Sequence, residues 1–187
     1  MIEYLKTVVE FTKKLNTTGA FTETSGFVVN HISKFVDHRK KQVIIEYGAG
    51  HGNITKGILA KMNEDSVLYA FEIHSDFCKQ LAFIRDPRLR IINLSASDVY
   101  QVLDTPESVD CIISSIPFSF IPDKELHKIL VKSHNLLKDN CFMMQVLYST
   151  RHLKYYKQYF KNCTAKMVMN IPLANIYECQ KIIEKNE

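Results

Sequence analysis

The sequence predicts an α/β fold with a seven-stranded, mostly parallel sheet and helices on both faces. Three observations predict it. Apolar runs suited to strands alternate with helical runs along the chain, which is typical of a doubly wound parallel sheet. The first of these strands, 43–47, leads directly into a loop with glycines at alternate positions. The second, 67–72, ends in an acid, as at the ligand-binding edge of such sheets.

Length, composition and charge limit the classes of protein to which the chain can belong. The chain has 187 residues, of which 46% are hydrophobic, and a formal net charge of +4. This size suits one domain with a full core, and the mild charge permits an anionic partner without requiring one. No apolar run approaches the roughly 20 residues of a membrane span, and charged residues interrupt the start of the chain, where a signal peptide would be apolar. We therefore expect a cytoplasmic protein with a single domain, 1–187, made of an N-terminal helical segment, 1–36, and a core, 40–187.

The elements follow from hydrophobic spacing. Val43 to Ile45 suit a strand that is buried on both faces. The spacing of Ile54, Ile58 and Leu59 predicts a helix after the glycine loop, with Asn53 as its N-cap. The predicted strands are 43–47, 67–72, 90–94, 109–114, 140–148, 163–170 and 176–183. The predicted helices are 3–15, 25–36, 53–62, 75–84, 98–103, 123–137 and 151–160.

Gly48, Gly50 and Gly52 form the loop after the first strand. Glycine tolerates positive φ and has no Cβ, so a ligand can approach the backbone closely. A dinucleotide fingerprint would need its third glycine where Asn53 stands, and a P-loop would need a following Gly-Lys-Ser/Thr. The loop therefore favours a nucleotide-type cofactor held without a pyrophosphate clamp.

Glu72 ends the second strand, 20 positions after Gly52. An acid at about this distance binds ribose hydroxyls in sites of this class. A carboxylate is a suitable acceptor for two vicinal hydroxyl donors. Loop and acid together predict a cofactor that contains ribose.

Cysteine and histidine give no sign of a metal centre. The five cysteines and seven histidines are scattered and lack the spacing of metal ligands. Several cysteines lie in apolar strand-like runs, so we expect all five to be reduced packing residues.

Four motifs resemble known methyltransferases. The loop after the Glu46-ended strand resembles motif I of the class I S-adenosylmethionine-dependent enzymes. Residues 18–25, TGAFTETS, resemble the Gly-Ala-Ile-x-Pro-Ser-Ser segment of the bacterial phospholipid N-methyltransferases. Residues 113–118, ISSIPF, resemble their Ser-Gly-Leu-Pro motif IV, and 170–176, NIPLANI, their Asn-x-Pro-Pro-Ala-x-Val ending. The similarity runs from about residue 11 to 180.

The resemblance implies a Rossmann-like class I methyltransferase whose last strand is antiparallel, with S-adenosylmethionine as cofactor and S-adenosylhomocysteine as product. The cofactor-binding residues that it implies are Thr24, Ser25, Glu46, Gly48, Gly50, Gly52, Glu72, Ile73, Ser95 and Ala96. The residues that it implies around the methyl acceptor are Ser114, Ser115, Pro117 and Phe118. Ser95 stands where the family has an Asp facing adenine, and its hydroxyl can still bond the adenine amino group. Thr24 and Ser25 suit simple helix capping equally well.

Two stretches bear on partners. The basic amphipathic helix 3–15 suits packing on its own domain or binding to an anionic membrane surface. Residues 151–161 mix cations with aromatic rings, which suits lipid headgroups, stacked RNA bases or an ordinary solvated helix face.

Three functions stay open. The first is N-methylation of an aminophospholipid or related aminolipid headgroup, by a cytoplasmic enzyme that could sit on the inner membrane face. The second is N6-methylation of adenine in RNA. It is disfavoured because the related ribosomal RNA adenine dimethylases carry Asn-Leu-Pro-Tyr in motif IV, where this chain has Ser115 and Phe118. The third is cofactor binding without catalysis.

Overall fold

A computed structural model describes residues 24–118 and 121–182. The predicted helix 3–15 and most of the motif at 18–25 therefore lie outside the described residues. Within them, no helix is long and apolar enough to cross a membrane.

The sheet has seven strands in the order β3-β2-β1-β4-β5-β7-β6. All neighbouring pairs among β1 to β5 are parallel, whereas β7 pairs antiparallel with both β5 and β6. The strands are β1 (Val43–Tyr47), β2 (Val67–Phe71), β3 (Leu89–Ile92), β4 (Val109–Ser114), β5 (Leu137–Leu147), β6 (Asn162–Val168) and β7 (Ala174–Gln180). This confirms the predicted class and the antiparallel last strand. It also places the carboxyl ends of β1 to β6 at one edge of the sheet, which we call the carboxyl edge.

Five α-helices and two 3₁₀ segments connect the described strands. The helices are α1 (Gly26–Ile32), α2 (Asn53–Leu59), α3 (Ser75–Leu81), α4 (Asp123–Leu136) and α5 (Leu153–Tyr156). The 3₁₀ segments are Ser33–Phe35, which continues α1, and Ala96–Gln101, which lies between β3 and β4.

Each face of the sheet is covered by its own helices. Residues of α1, α2 and α3 such as Ile32, Ile58 and Leu81 pack on one face. Residues of α4 and α5 such as Leu130 and Tyr156 pack on the other. Because both faces are covered, the central strands are almost continuously apolar, and polar residues on them stand out.

The largest departure from the predicted elements is at 151–160. Only Leu153–Tyr156 is helical there, and turns follow. Tyr156 and Phe160 are fully buried in the core. The solvated-face interpretation of this stretch is therefore wrong for these two rings, whereas Tyr155 and Tyr159 are partly exposed and the Lys and Arg side chains are exposed.

The cysteine expectation is wrong for two residues. Cys163 and Cys179 stand directly opposite each other on β6 and β7, and the structure joins them in a disulfide with a Cα–Cα distance of 4.1 Å. Cys78, Cys111 and Cys141 are free thiols, as expected. Sequence spacing gave no sign of the pair, because cross-strand register depends on the hairpin.

Candidate functional site

The glycine loop joins the end of β1 to the start of α2. Gly48, Gly50 and Gly52 have φ of 78°, 52° and 84°, a region that L side chains rarely adopt. A Cβ on Gly52 would come within 2.9 Å of Leu81 and Ile84, so this glycine is needed for packing. A Cβ on Gly50 would meet no atom of the described residues within 4 Å apart from its chain neighbours, so none of them fills the space in front of this backbone.

Glu72 holds this loop from the neighbouring strand. Its carboxylate accepts hydrogen bonds from the backbone N–H of Gly50 and of His74, both at 2.9 Å. The side chain of Asn93, after β3, donates to the Glu72 carbonyl at 2.8 Å. These hydrogen bonds hold the carboxyl ends of β1, β2 and β3 together around Glu72. The glycine loop and the acid at the end of β2 are thus in direct contact.

Glu46 is fully buried below the loop. The Thr55 hydroxyl donates to its Oε2 at 2.7 Å, whereas Oε1 has no hydrogen-bond partner among the described residues. The pKa of Glu46 is raised to about 7, mainly by burial and to a smaller extent by the nearby charge of Glu72, while the hydrogen bond from Thr55 opposes the rise. An orphaned carboxyl oxygen beside an open glycine backbone fits a polar or cationic cofactor group.

The loop after β4 reaches the glycine loop. The Ser115 hydroxyl donates to the Gly48 carbonyl at 2.8 Å, and the Ser115 N–H donates to the Tyr47 carbonyl at 3.0 Å. Ser114 is fully buried, and its hydroxyl has no partner among the described residues. Pro117 is partly exposed and Phe118 is buried. The structure therefore joins Ser115, one of the residues predicted around the methyl acceptor, to the predicted cofactor loop.

Two residues at this position were missed by the sequence interpretation. Gln145 on β5 pairs in register with Ser114, and its side-chain amide donates to the Ile116 carbonyl at 3.1 Å. The Tyr156 hydroxyl donates to the amide oxygen of Gln145 at 2.9 Å. The available signal was a lone amide in the otherwise apolar run 141–147.

Ser25 connects two of the family motifs. Its hydroxyl accepts a bond from Val28 N–H as the N-cap of α1 and donates to the Met169 carbonyl at 2.7 Å. Its N–H donates to the side chain of Asn170 at 2.8 Å. The capping role is thus present, and Thr24 precedes it as a partly exposed residue. The start of α1 is thereby fastened to the loop between β6 and β7.

The remaining predicted positions lie after β2 and β3. Ile73 directly follows Glu72 and is partly exposed. Ser95 caps the second 3₁₀ segment, with its hydroxyl 3.0 Å from that of Ser97, and Ala96 is buried. His51 bonds Gln80 at 2.8 Å and stacks edge-on against Phe77. In the described part of the chain, no group of three or more His, Cys, Asp or Glu is arranged to hold a metal ion.

The site can be compared with known proteins. A sequence model of the ribosomal RNA adenine dimethylase family matches residues 13–175. Among curated proteins, the ornithine lipid N-methyltransferase of Singulisphaera acidiphila is 27% identical over 150 residues, which cover 76% of this chain and 78% of that protein.

Solved structures share the fold. An S-adenosylmethionine-dependent O-methyltransferase from Thermotoga maritima superposes with a TM-score of 0.68 at 14% identity, covering 92% of this chain and 72% of that one. The 1,6-didemethyltoxoflavin-N1-methyltransferase of Burkholderia thailandensis, solved with S-adenosylhomocysteine bound, has a TM-score of 0.69 at 13% identity and covers 95% and 89%.

Proposed function

Because the chain belongs to the ribosomal RNA adenine dimethylase family and is a class I S-adenosylmethionine-dependent methyltransferase, we propose that it methylates the amino group of an aminolipid headgroup. S-adenosylmethionine is the cofactor and S-adenosylhomocysteine the product. What remains to be assigned is the acceptor and the roles of individual residues.

The observation that carries the lipid proposal is an exposed apolar loop at the carboxyl edge. Between β6 and β7, Met169, Ile171 and Leu173 are 63%, 77% and 51% exposed. The same loop is hydrogen-bonded to Ser25 at the start of α1, where Phe27 is 67% exposed. Exposed apolar residues at one edge are typical of contact with a lipid or protein surface. The ornithine lipid relative supports the lipid choice, since ornithine lipids present a free amine.

We assign the cofactor to the glycine loop. In this assignment the Glu72 carboxylate accepts bonds from the ribose hydroxyls, and Glu46 Oε1 receives the amino group of the methionine end. Gly48, Gly50 and Gly52 leave room for the adenosyl group, and Ile73, Ser95 and Ala96 surround the adenine. Thr24 lies beside the methionine end, while the Ser25 hydroxyl keeps its capping bonds. The bound cofactor supplies a methyl group that is already activated on a sulfonium.

We assign the acceptor amine to the loop after β4. The chemistry requires an amine that has lost its proton and lies in line with the methyl group, with water excluded. A primary amine with a pKa near 10 is mostly protonated at neutral pH, so it must first give up a proton to water or to a base, and hydrogen-bond acceptors must then orient the neutral amine. The polar groups available for this are the Ser114 hydroxyl, which has no partner among the described residues, the Ser115 hydroxyl and the Ile116 carbonyl, while Pro117 and Phe118 shape the pocket.

A second candidate, methylation of adenine in RNA, is favoured by the name of the matching family. The aromatic residues at 151–161 give it little support. Tyr156 and Phe160 are buried, and the hydroxyls of Tyr155 and Tyr159 are bonded to Asp123 and His127. Stacking of RNA bases needs exposed aromatic faces. The aminolipid function is therefore the better supported of the two.

The test is methyl transfer from labelled S-adenosylmethionine in three parallel reactions. One contains vesicles with ornithine lipid and phosphatidylethanolamine, one contains phosphatidylcholine vesicles without a primary amine, and one contains a ribosomal RNA transcript. We expect label in the extracted lipid of the first reaction alone. Label in the RNA with none in lipid would overturn the proposal in favour of the second candidate.

A further inference from the structure

A row of polar side chains crosses the sheet near its carboxyl edge. Tyr47, Ser114, Gln145 and Tyr177 are neighbours in register on β1, β4, β5 and β7, and each is fully buried. The surrounding face is packed with apolar side chains from α4 and α5. Burial of polar groups costs free energy unless their bonds are satisfied. Gln145 is the one amide in the otherwise apolar run 141–147.

The hydrogen bonds of Gln145 fix its amide in one orientation. Its Nε2 donates to the carbonyls of Ile116, at 3.1 Å, and of Val146, at 2.9 Å. Carbonyl oxygens can only accept, so the amide nitrogen must face them, and the amide oxygen must face the Tyr156 hydroxyl. Tyr156 is itself fully buried, and burial raises its pKa well above the ordinary value, so the hydroxyl keeps the proton that it donates.

The carbonyl that Gln145 holds lies within the proposed acceptor loop. Ile116 precedes Pro117, which has no N–H to anchor that side of the peptide. Ser115 is bound from the β1 side, through the carbonyls of Tyr47 and Gly48. Gln145 binds Ile116 from the β5 side, so the loop is held between two neighbouring strands. A carbonyl oxygen has two lone pairs, and Gln145 occupies one of them.

We propose that Gln145 and Tyr156 are positioning residues for methyl transfer, which aim the free lone pair of the Ile116 carbonyl at the acceptor amine. This rests on the proposed function of the loop after β4. Neither side chain touches cofactor or acceptor. They act through the carbonyl, and the ring of Tyr156, 6.0 Å from that of Phe118, also supports the wall of the acceptor pocket. Loss of either side chain leaves the glycine loop intact but allows the Ile116 carbonyl to change its direction.

The test compares Tyr156→Phe and Gln145→Met with the wild type. We expect kcat to fall about 10- to 100-fold, as small displacements at a reacting centre do. The Kd for S-adenosylhomocysteine should stay within about twofold, because these residues do not reach the glycine loop. A loss of stability alone would not separate kcat from cofactor affinity in this way.

Tyr177→Phe is the matched control. Tyr177 is equally buried, and its ring lies 5.3 Å from that of Tyr156, but its hydroxyl bonds the Ser149 carbonyl instead of Gln145. It should cost similar stability and leave kcat near that of the wild type. Equal losses of kcat in Tyr177→Phe and Tyr156→Phe would overturn the proposal.

The outcome can be separated from that of the proposed function. Rates are measured on whichever acceptor the wild type methylates, lipid or RNA, so a wild type that ignores lipid overturns only the lipid assignment. The carbonyl ¹³C chemical shift of labelled Ile116 needs no acceptor at all. Gln145→Met should change it and Tyr177→Phe should not, whereas an unchanged shift in Gln145→Met would overturn the inference by itself.

Discussion

Glu46 is a fully buried carboxyl with one bonded and one unbonded oxygen. Burial raises its pKa from 4.5 to about 7. The folded protein therefore holds a proton at Glu46 between these values that the unfolded chain has released. Stability from this residue is highest below about pH 4.5 and is lost as the pH rises to about 7, because the unfolded state then binds fewer protons.

Glu46→Gln should remove this pH dependence. The amide oxygen can still accept from Thr55, and no charge has to be buried. Without cofactor, the free energy of unfolding of the variant relative to the wild type should rise by roughly 2–3 kcal/mol between pH 5 and pH 8. Urea unfolding at a series of pH values measures it, and a constant difference across this range would show that Glu46 has an ordinary pKa.

Glu72 is the acid to which the cofactor assignment is most sensitive. Glu72→Ala removes the acceptor of the Gly50 N–H and the proposed acceptor of the ribose hydroxyls. Stranded hydrogen-bond partners cost about 1–3 kcal/mol, so the Kd for S-adenosylhomocysteine should rise about 5- to 150-fold. Isothermal titration calorimetry measures it.

Glu64→Ala is the control for this measurement. Glu64 is an exposed acid just before β2, at the opposite edge of the sheet. Its removal should leave the Kd unchanged. Similar weakening in both variants would mean that general loss of negative charge, and not the contacts of Glu72, is responsible.

Individual residues differ in how far their positions and roles can be predicted from the sequence. The cofactor-binding roles of Gly50 and Glu72 stay predictions, made because a ligand that approaches backbone needs glycine, and ribose needs an acceptor at a fixed distance along the chain. The position of Gln145 beside Ser114 could not be predicted, because it depends on the register of β4 with β5. The disulfide between Cys163 and Cys179 could not be predicted either, because it depends on the register of β6 with β7.

At the scale of elements, α1 and α2 pack closely together where Gly57 of α2 faces Val29 of α1. A Cβ on Gly57 would overlap the side chain of Val29. Gly57→Ala should therefore destabilise the protein by about 1–3 kcal/mol through overpacking, despite the roughly 1 kcal/mol by which Ala favours a helix. Thermal or urea unfolding measures the effect.

The Val29→Ala background turns this into a double-mutant cycle. With the valine methyl groups removed, Gly57→Ala should become neutral or stabilising, and the two changes should couple strongly. Additive effects would mean that α1 does not pack against α2 at this point, and that the start of α1 is free to lie elsewhere.

Helices and strands could be predicted where the sequence has a strong hydrophobic periodicity. β1 and β4 have the predicted bounds, since their apolar runs end sharply in polar residues or glycine. Elements whose ends depend on packing differ more. β5 begins at Leu137, immediately after α4, and the stretch 151–160 gives up helical spacing to bury Tyr156 and Phe160.

At the scale of the whole molecule, the residues assigned to cofactor and acceptor lie at the carboxyl edge. The glycine loop, Glu72, the loop after β4 and the start of α1 all lie on that edge. The antiparallel β7 brings the loop with Met169, Ile171 and Leu173 to the same edge. The fold therefore places an exposed apolar loop on the same side of the sheet as the proposed acceptor site.

The most direct measurement is a crystal structure of the protein grown with S-adenosylhomocysteine. We expect the adenosyl group to lie against the backbone of Gly48 to Gly52, with both ribose hydroxyls bonded to the Glu72 carboxylate. A nucleoside bound away from this loop, or a cleft left vacant at saturating concentration, would contradict it.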